Sequence, residues 1–215
     1  MRIRFWGVRG SIPVPGPSTL IYGGNTPCLD ILTAAGQLLI IDAGTGIRSL
    51  GQVLQEKNSG RVEAKIFLSH THWDHIQGLP FFAPLANRRN QIHVYGRRRL
   101  GKQLEEILAG QFIEPYLPFA YRSLDATLRV QEVEAGEIIA VGEGTTVTVA
   151  DLNHPGGALG FRIEDHGLVF VYCCDTGHDL NSVNEDIVTL ASGADLLVLD
   201  AHFPSQELSR KFSDW

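Results

Sequence analysis

The stretch Ser69-His70-Thr71-His72-Trp73-Asp74-His75 follows directly on a strand-like run, residues 64–69. Alternate residues of an extended segment point the same way, so His70 and His72 can converge on one cation. After a turn, Asp74 and His75 offer an oxygen and a nitrogen to a second cation close by. Neutral imidazole suits zinc and other borderline metals, and a carboxylate adds compensating charge. Structural zinc sites are usually closed by four protein ligands, often thiolates. A His/Asp set with no thiolate reads instead as a catalytic site with positions left for water. A surface histidine cluster is the competing reading; three imidazoles and a carboxylate at one strand end argue against it.

Working outward, strand-like runs rich in β-branched residues recur at 2–6, 28–32, 38–42, 64–69, 92–95, 145–152, 159–163, 168–173 and 195–200, bounded by Gly, Asp or Asn. Residues 47–55 carry Ile47, Leu50, Val53 and Leu54 on one helical face. Residues 78–86, 99–108 and 183–191 are shorter helical candidates. Many strands with interspersed helices predict sheets covered by helices. The aromatic segment 111–122, with Phe112, Tyr116, Phe119 and Tyr121, reads either as a lid packed on the core or as a wall of a substrate pocket.

Composition bounds the answer. The 215 residues suit one medium-sized domain rather than two full ones, with 44% hydrophobic and 20% charged residues excluding bulk disorder. A net charge of −6 excludes a polycation built to coat nucleic acid. Yet Arg88, Arg89, Arg97, Arg98, Arg99 and Lys102 fall within residues 87–102, where no acid occurs. Such a segment either steers an anionic substrate or is merely solvated. Three cysteines, Cys28, Cys173 and Cys174, form no disulfide framework and no CxxC pair. No apolar run approaches membrane-spanning length, and the chain enters a strand at Arg2 without an apolar signal region. The expectation is a cytoplasmic protein with no membrane partner.

The pattern His70-x-His72-x-Asp74-His75 resembles the signature of the metallo-β-lactamase superfamily, and further landmarks occur in the same order. Asp42, in Leu39-Ile40-Ile41-Asp42-Ala43-Gly44-Thr45-Gly46, resembles the first-motif aspartate. His154 in Asn153-His154-Pro155 resembles the third histidine of the first metal site, and Asp175 in Cys174-Asp175-Thr176-Gly177-His178 the metal-bridging aspartate. The segments Phe5-Trp6-Gly7-Val8-Arg9-Gly10-Ser11, Gly24-Asn25-Thr26-Pro27-Cys28 and His75-Ile76-Gln77-Gly78-Leu79-Pro80 are similar to the phosphodiesterase-like branch, which includes phosphoribosyl cyclic phosphodiesterases and tRNA 3′-processing endonucleases.

The resemblance implies an α/β fold, an αββα sandwich of two mixed β-sheets with outer helices, in one domain over residues 1–215. It implies two divalent metal ions, zinc or manganese. His70, His72 and His154 would hold the first, Asp74 and His75 the second, and Asp175 would bridge them. A hydroxide between the metals would attack a small or cyclic phosphodiester, with nucleic acid as the less favoured substrate. Asp74 and His178 are the catalytic candidates, His178 as proton donor to the leaving group, and Asp42 would fix the histidine loop by hydrogen bonds. The family expects one more histidine near the end of the domain. The chain stops at Ser213-Asp214-Trp215, so the final C-terminal element and its ligand are expected to be lacking, with His202 as a surrogate ligand the less favoured alternative. Other readings remain open: a hydrolase of lactams, lactones or thioesters, a metal-binding domain with an impaired second site, and a homodimer in which a partner chain supplies a ligand.

The turn Gly44-Thr45-Gly46 either presents amides to an anion or simply closes tightly; Asn25 and Thr26 either line the pocket or form a plain turn. Cys173 and Cys174 are expected to pack as small apolar residues.

Overall fold

Eleven strands and four α-helices form in the computed structural model, which describes residues 1–57, 61–177 and 184–201. The chain divides into two compact units, residues 1–132 and residues 133 onward.

The first unit holds a six-stranded mixed sheet. β1 (Arg2–Gly7), β2 (Cys28–Leu32) and β3 (Leu38–Ile41) pair antiparallel, and β4 (Glu63–Phe67), β5 (Gln91–Gly96) and β6 (Thr127–Glu132) continue from β3 in parallel. Parallel neighbours need a crossover rather than a tight turn. α1 (Gly46–Lys57) provides it between β3 and β4, burying Ile47 and Leu50 while Leu54 packs on the same core. Leu39, Ile40, Ile41, Ile66 and Phe67 are fully buried. Because β3 to β6 run the same way, their carboxyl ends share one edge of the sheet. Asp42, the histidine segment and Arg97–Arg99 all follow there, where open sheets with parallel strands bind ligands. The basic segment is thereby split. Arg88 and Arg89 precede β5 and the other cations follow it, separated by a strand roughly 20 Å long.

Short helices α2 (Trp73–Ile76) and α3 (Leu104–Ala109) complete this unit. The helix expected over residues 78–86 is replaced by two 3-10 turns, Leu79–Phe81 and Ala83–Ala86, each with a proline in its first turn. Proline lacks the amide that a longer α-helix would need there. The helix expected over 99–108 begins only at Leu104, because residues 99–102 form a tight hairpin turn. The aromatic segment is chiefly a lid. Phe112 is buried edge-on to Phe119 and Tyr121, and Leu117, Tyr121 and Leu124 pack on the core. Phe119 also lines, with Phe81 and Phe82, a cleft of about 250 Å³.

The second unit holds β7 (Ile138–Gly142), β8 (Thr145–Leu152), β9 (Ala158–Asp165), β10 (Leu168–Cys173) and β11 (Leu196–Leu199), with α4 (Glu185–Ala191). The sheet order is β11-β10-β9-β8-β7, antiparallel except for β10 with β11. The Asn184 side chain caps α4 by accepting from the Ile187 amide at 3.2 Å. Ile187 and Leu190 pack with Leu152, Val171 and Cys173. Both β8 and β10 are antiparallel to β9, so their carboxyl ends share an edge, and His154 and Asp175 follow them. Among the described residues no helix is long and apolar enough to cross a membrane. His178, His202 and the end of the chain, where the final element is expected to be lacking, lie outside the described residues.

Candidate metal centre

The segment from Phe67 to Ile76 is held by backbone bonds to the loop after β3. Asp42 N donates to Phe67 O (2.9 Å), Ala43 N to His75 O (2.7 Å) and Gly78 N to Ala43 O (2.9 Å). This approach requires glycine. A Cβ on Gly78 would lie 2.1 Å from Gly44 O, and one on Gly44 would lie 2.3 Å from Asp74 O.

Asp42 is fully buried and left-handed (φ 59), a conformation an aspartate tolerates better than most residues. Its Oδ1 accepts from Ser69 N (2.8 Å); its Oδ2 accepts from Ser69 Oγ (3.0 Å) and from His75 Nδ1 (2.8 Å). The carboxylate therefore fixes the proton of His75 on Nδ1 and leaves a lone pair on Nε2. His70 Nδ1 lies 3.1 Å from Ser69 Oγ. The serine hydrogen already points to Asp42, so His70 Nδ1 donates to Oγ, and His70 Nε2 likewise keeps its lone pair.

His72 has extended backbone (φ −65, ψ 152), and the i, i+2 expectation holds: His70 Nε2 and His72 Nδ1 are 2.8 Å apart. The rings of His70 and His75 stand 4.2 Å apart. Asp74 Oδ2 accepts from the amide of Ser11 (2.8 Å) and lies 3.6 Å from His75 Nε2. That separation is too long for a hydrogen bond and faces a lone pair toward a carboxylate, a pairing that a cation between them would relieve. Converging imidazole nitrogens with their opposite nitrogens committed to Asp42 and Ser69 thus fit a divalent metal, so this His/Asp group can bind one.

In the second unit, Gly177 N donates to Asn153 O, tying the loop that carries His154 to the loop that carries Asp175. Asp175 is also left-handed (φ 57).

Ser69 has no role assigned from the sequence, and Arg99 only that of one cation in the basic segment. Ser69 relays Asp42 to His70, and its place just before His70 was the available signal. Arg99 Nη2 lies 2.7 Å from His72 Nε2; only the parallel pairing of β4 with β5 brings it there. The alternative in which amides 44–46 face an anion is overturned. They donate to Pro27 O, Thr26 Oγ1 and Thr26 O, respectively. Thr26 is fully buried in a reciprocal pair with Thr45, so the plain-turn reading holds.

A family model described as the beta-lactamase superfamily domain matches residues 38–211. Ribonuclease Z of Methanosarcina acetivorans is 25% identical over 168 residues, covering 76% of this chain and 48% of that protein. Ribonuclease BN of Citrobacter koseri is 33% identical over 138 residues, covering 62% of this chain and 41% of that protein. The chain therefore spans less than half the length of these curated relatives. Among solved structures, Zn²⁺-bound PqqB from Methylobacterium extorquens superposes with a TM-score of 0.63 at 16% identity, covering 94% of this chain and 71% of that one. This likeness shows a shared fold: two mixed sheets flanked by helices.

Proposed function

The chain belongs to the β-lactamase superfamily, and from that membership we propose that it is a metal-dependent hydrolase of phosphodiesters. The observation that carries the reading is the Asp42–Ser69 relay, which leaves the Nε2 atoms of His70 and His75 as lone-pair donors. In this reading the two units are halves of one domain. His70, His72, Asp74 and His75, with His154 and Asp175, would then be the residues that hold two divalent metals. Bound divalent metals supply Lewis acidity and bring a water's pKa near neutrality. The zinc named in the PqqB structure supports zinc, with manganese as the second choice.

The names of the ribonuclease Z and BN relatives support a phosphodiester bond as the target. A small or cyclic diester is favoured over RNA because the basic segment is split by β5, leaving Arg97, Arg98, Arg99 and Lys102 on the histidine side, a short cluster suited to one phosphate. The relatives' names favour RNA as the second reading. His178 is assigned as proton donor to the leaving oxygen.

The test loads the metal-free protein with Zn²⁺ or Mn²⁺, counts metal by plasma emission, and measures hydrolysis of bis(p-nitrophenyl) phosphate. The expected result is turnover that His72→Ala abolishes and His178→Ala slows. A folded, metal-loaded protein that cleaves no member of a panel of cyclic diesters, linear diesters and tRNA precursors refutes the proposal.

A further inference from the structure

Arg99 is placed by a rigid device. Its backbone exchanges two hydrogen bonds with Lys102 (3.1 and 3.0 Å) around Leu100 and Gly101, both left-handed (φ 50 and 77). This is the two-residue hairpin geometry that needs positive φ at both central positions. The base of the hairpin is anchored by Arg98, whose Nε and Nη2 donate to Glu132 Oε2 at 2.9 and 2.8 Å. Glu132 Oε1 also accepts from Leu104 N at 3.0 Å. The Leu104 amide and then Arg98 hold the Glu132 carboxyl below its ordinary range, so this anchor persists into acid.

A guanidinium can only donate. Where Arg99 Nη2 meets His72 Nε2 at 2.7 Å, the imidazole must accept, which puts its proton on Nδ1. That proton faces His70 Nε2, 2.8 Å away, which carries a lone pair by the Ser69 relay. A chain of donors and acceptors thus runs from Arg99 through His72 to His70. A cation held between His70 Nε2 and His72 Nδ1 needs the lone pair of Nδ1. The proton of neutral His72 then sits on Nε2, with no change in net charge. Two N–H donors would face each other, and a cationic guanidinium would stand beside a metal.

We propose that Arg99 is a two-position anion-binding residue: it caps His72 while Nε2 of that ring accepts, and it is released to grip the non-bridging oxygens of a phosphodiester once Nδ1 holds a metal. This rests on the phosphodiesterase reading and adds a residue to it. The guanidinium fork matches two phosphate oxygens at once, which Lys102 at the same hairpin cannot do. The coupling is reciprocal: metal favours the substrate-competent arginine, and the anion neutralises the charge that disfavours metal.

The experiment compares the full chain with Arg99→Ala and Arg99→Lys. Calorimetric titration with Zn²⁺ in the absence of substrate is expected to give roughly tenfold tighter binding for Arg99→Ala, because a charge-assisted competitor at His72 is gone. With bis(p-nitrophenyl) phosphate, KM is expected to rise roughly tenfold in Arg99→Ala and less in Arg99→Lys, with kcat changing less than KM. Long-range ¹⁵N–¹H correlation spectra should show His72 protonated on Nδ1 without metal and on Nε2 with it. Metal affinity in Arg99→Ala equal to or weaker than in the parent overturns the proposal, as does an unchanged KM. If the parent chain itself binds metal but cleaves no diester, the phosphodiesterase reading fails, and the metal titration still decides whether Arg99 competes at His72. Circular dichroism confirms that each variant is folded.

Discussion

Asp42→Asn tests the relay most directly, because it keeps the size and left-handed backbone of Asp42 while altering one atom's hydrogen-bonding sense. Asparagine tolerates φ near +60° about as readily as aspartate, so backbone strain is unchanged. One oxygen remains to accept from Ser69 N, as Oδ1 does at 2.8 Å. The new amide NH₂ then stands where Oδ2 accepted from Ser69 Oγ at 3.0 Å and His75 Nδ1 at 2.8 Å. The serine hydroxyl can rotate to accept instead. His75 cannot without moving its proton to Nε2, the nitrogen directed toward Asp74. One hydrogen bond to a charged acceptor is lost, so unfolding stability without metal should fall by about 1.5–3 kcal/mol. Metal affinity should fall roughly 10–100-fold, as expected when the partner that orients a ligand imidazole is removed. Urea unfolding measures the first effect, and calorimetric metal titration the second. A variant destabilised as expected but binding metal as tightly as the parent would refute the claim that Asp42 sets the His75 tautomer.

Further predictions probe the scaffold and its ionisation. Gly78→Ala drives a methyl group against Gly44 O at 2.1 Å, and backbone there cannot yield cheaply; urea unfolding should show a loss of about 3 kcal/mol or more, together with weakened metal binding. Asn90→Ala separates folding from function. Buried Asn90 accepts from Val62 N and donates to Pro84 O, both at 2.8 Å, so about 2–3 kcal/mol of stability should vanish while metal affinity is retained. Burial, then the charge of Asp200, raises the Cys173 thiol to about 11. Its pKa is higher folded than unfolded, so the folded state holds the proton longer. Stability should therefore decline as pH rises from about 9 toward 11, and Cys173→Ala should flatten that decline in pH-dependent melting. Iodoacetamide at neutral pH should label half-exposed Cys174 before Cys173 or Cys28.

The sequence made the centre of the site legible because its ligands sit close together along the chain. The i, i+2 spacing of His70 and His72 survives because the backbone there is extended, and the apolar run ending at Ile41 delivers Asp42 as expected. Two strands with little fully buried apolar surface were not legible. β6 interleaves Arg129 and Gln131 with half-buried Leu128 and Val130, and β7 leaves Ile138 exposed. The helix expected over 78–86 has suitable apolar spacing, but Pro80 and Pro84 restrict it to 3-10 turns. Arg99 was visible only as one cation in a basic run. Its approach to His72 depends on strand pairing across 27 residues, which local patterns do not encode.

The hairpin after β5 has a consequence for how such a protein can be diversified. Asp42, Ser69, His70 and His75 are braced by one another and by the backbone of the loop after β3, while residues 99–102 close on themselves and are anchored through Arg98 and Glu132. The residues proposed to hold the ion and the hairpin proposed to meet the substrate are thus braced separately and joined through the contact of Arg99 with His72. A library confined to positions 100–102, with Arg98, Arg99 and Glu132 kept, should yield folded variants that bind metal as the parent does but differ in substrate preference. The same number of changes among residues 42–46 should mostly yield unfolded chains.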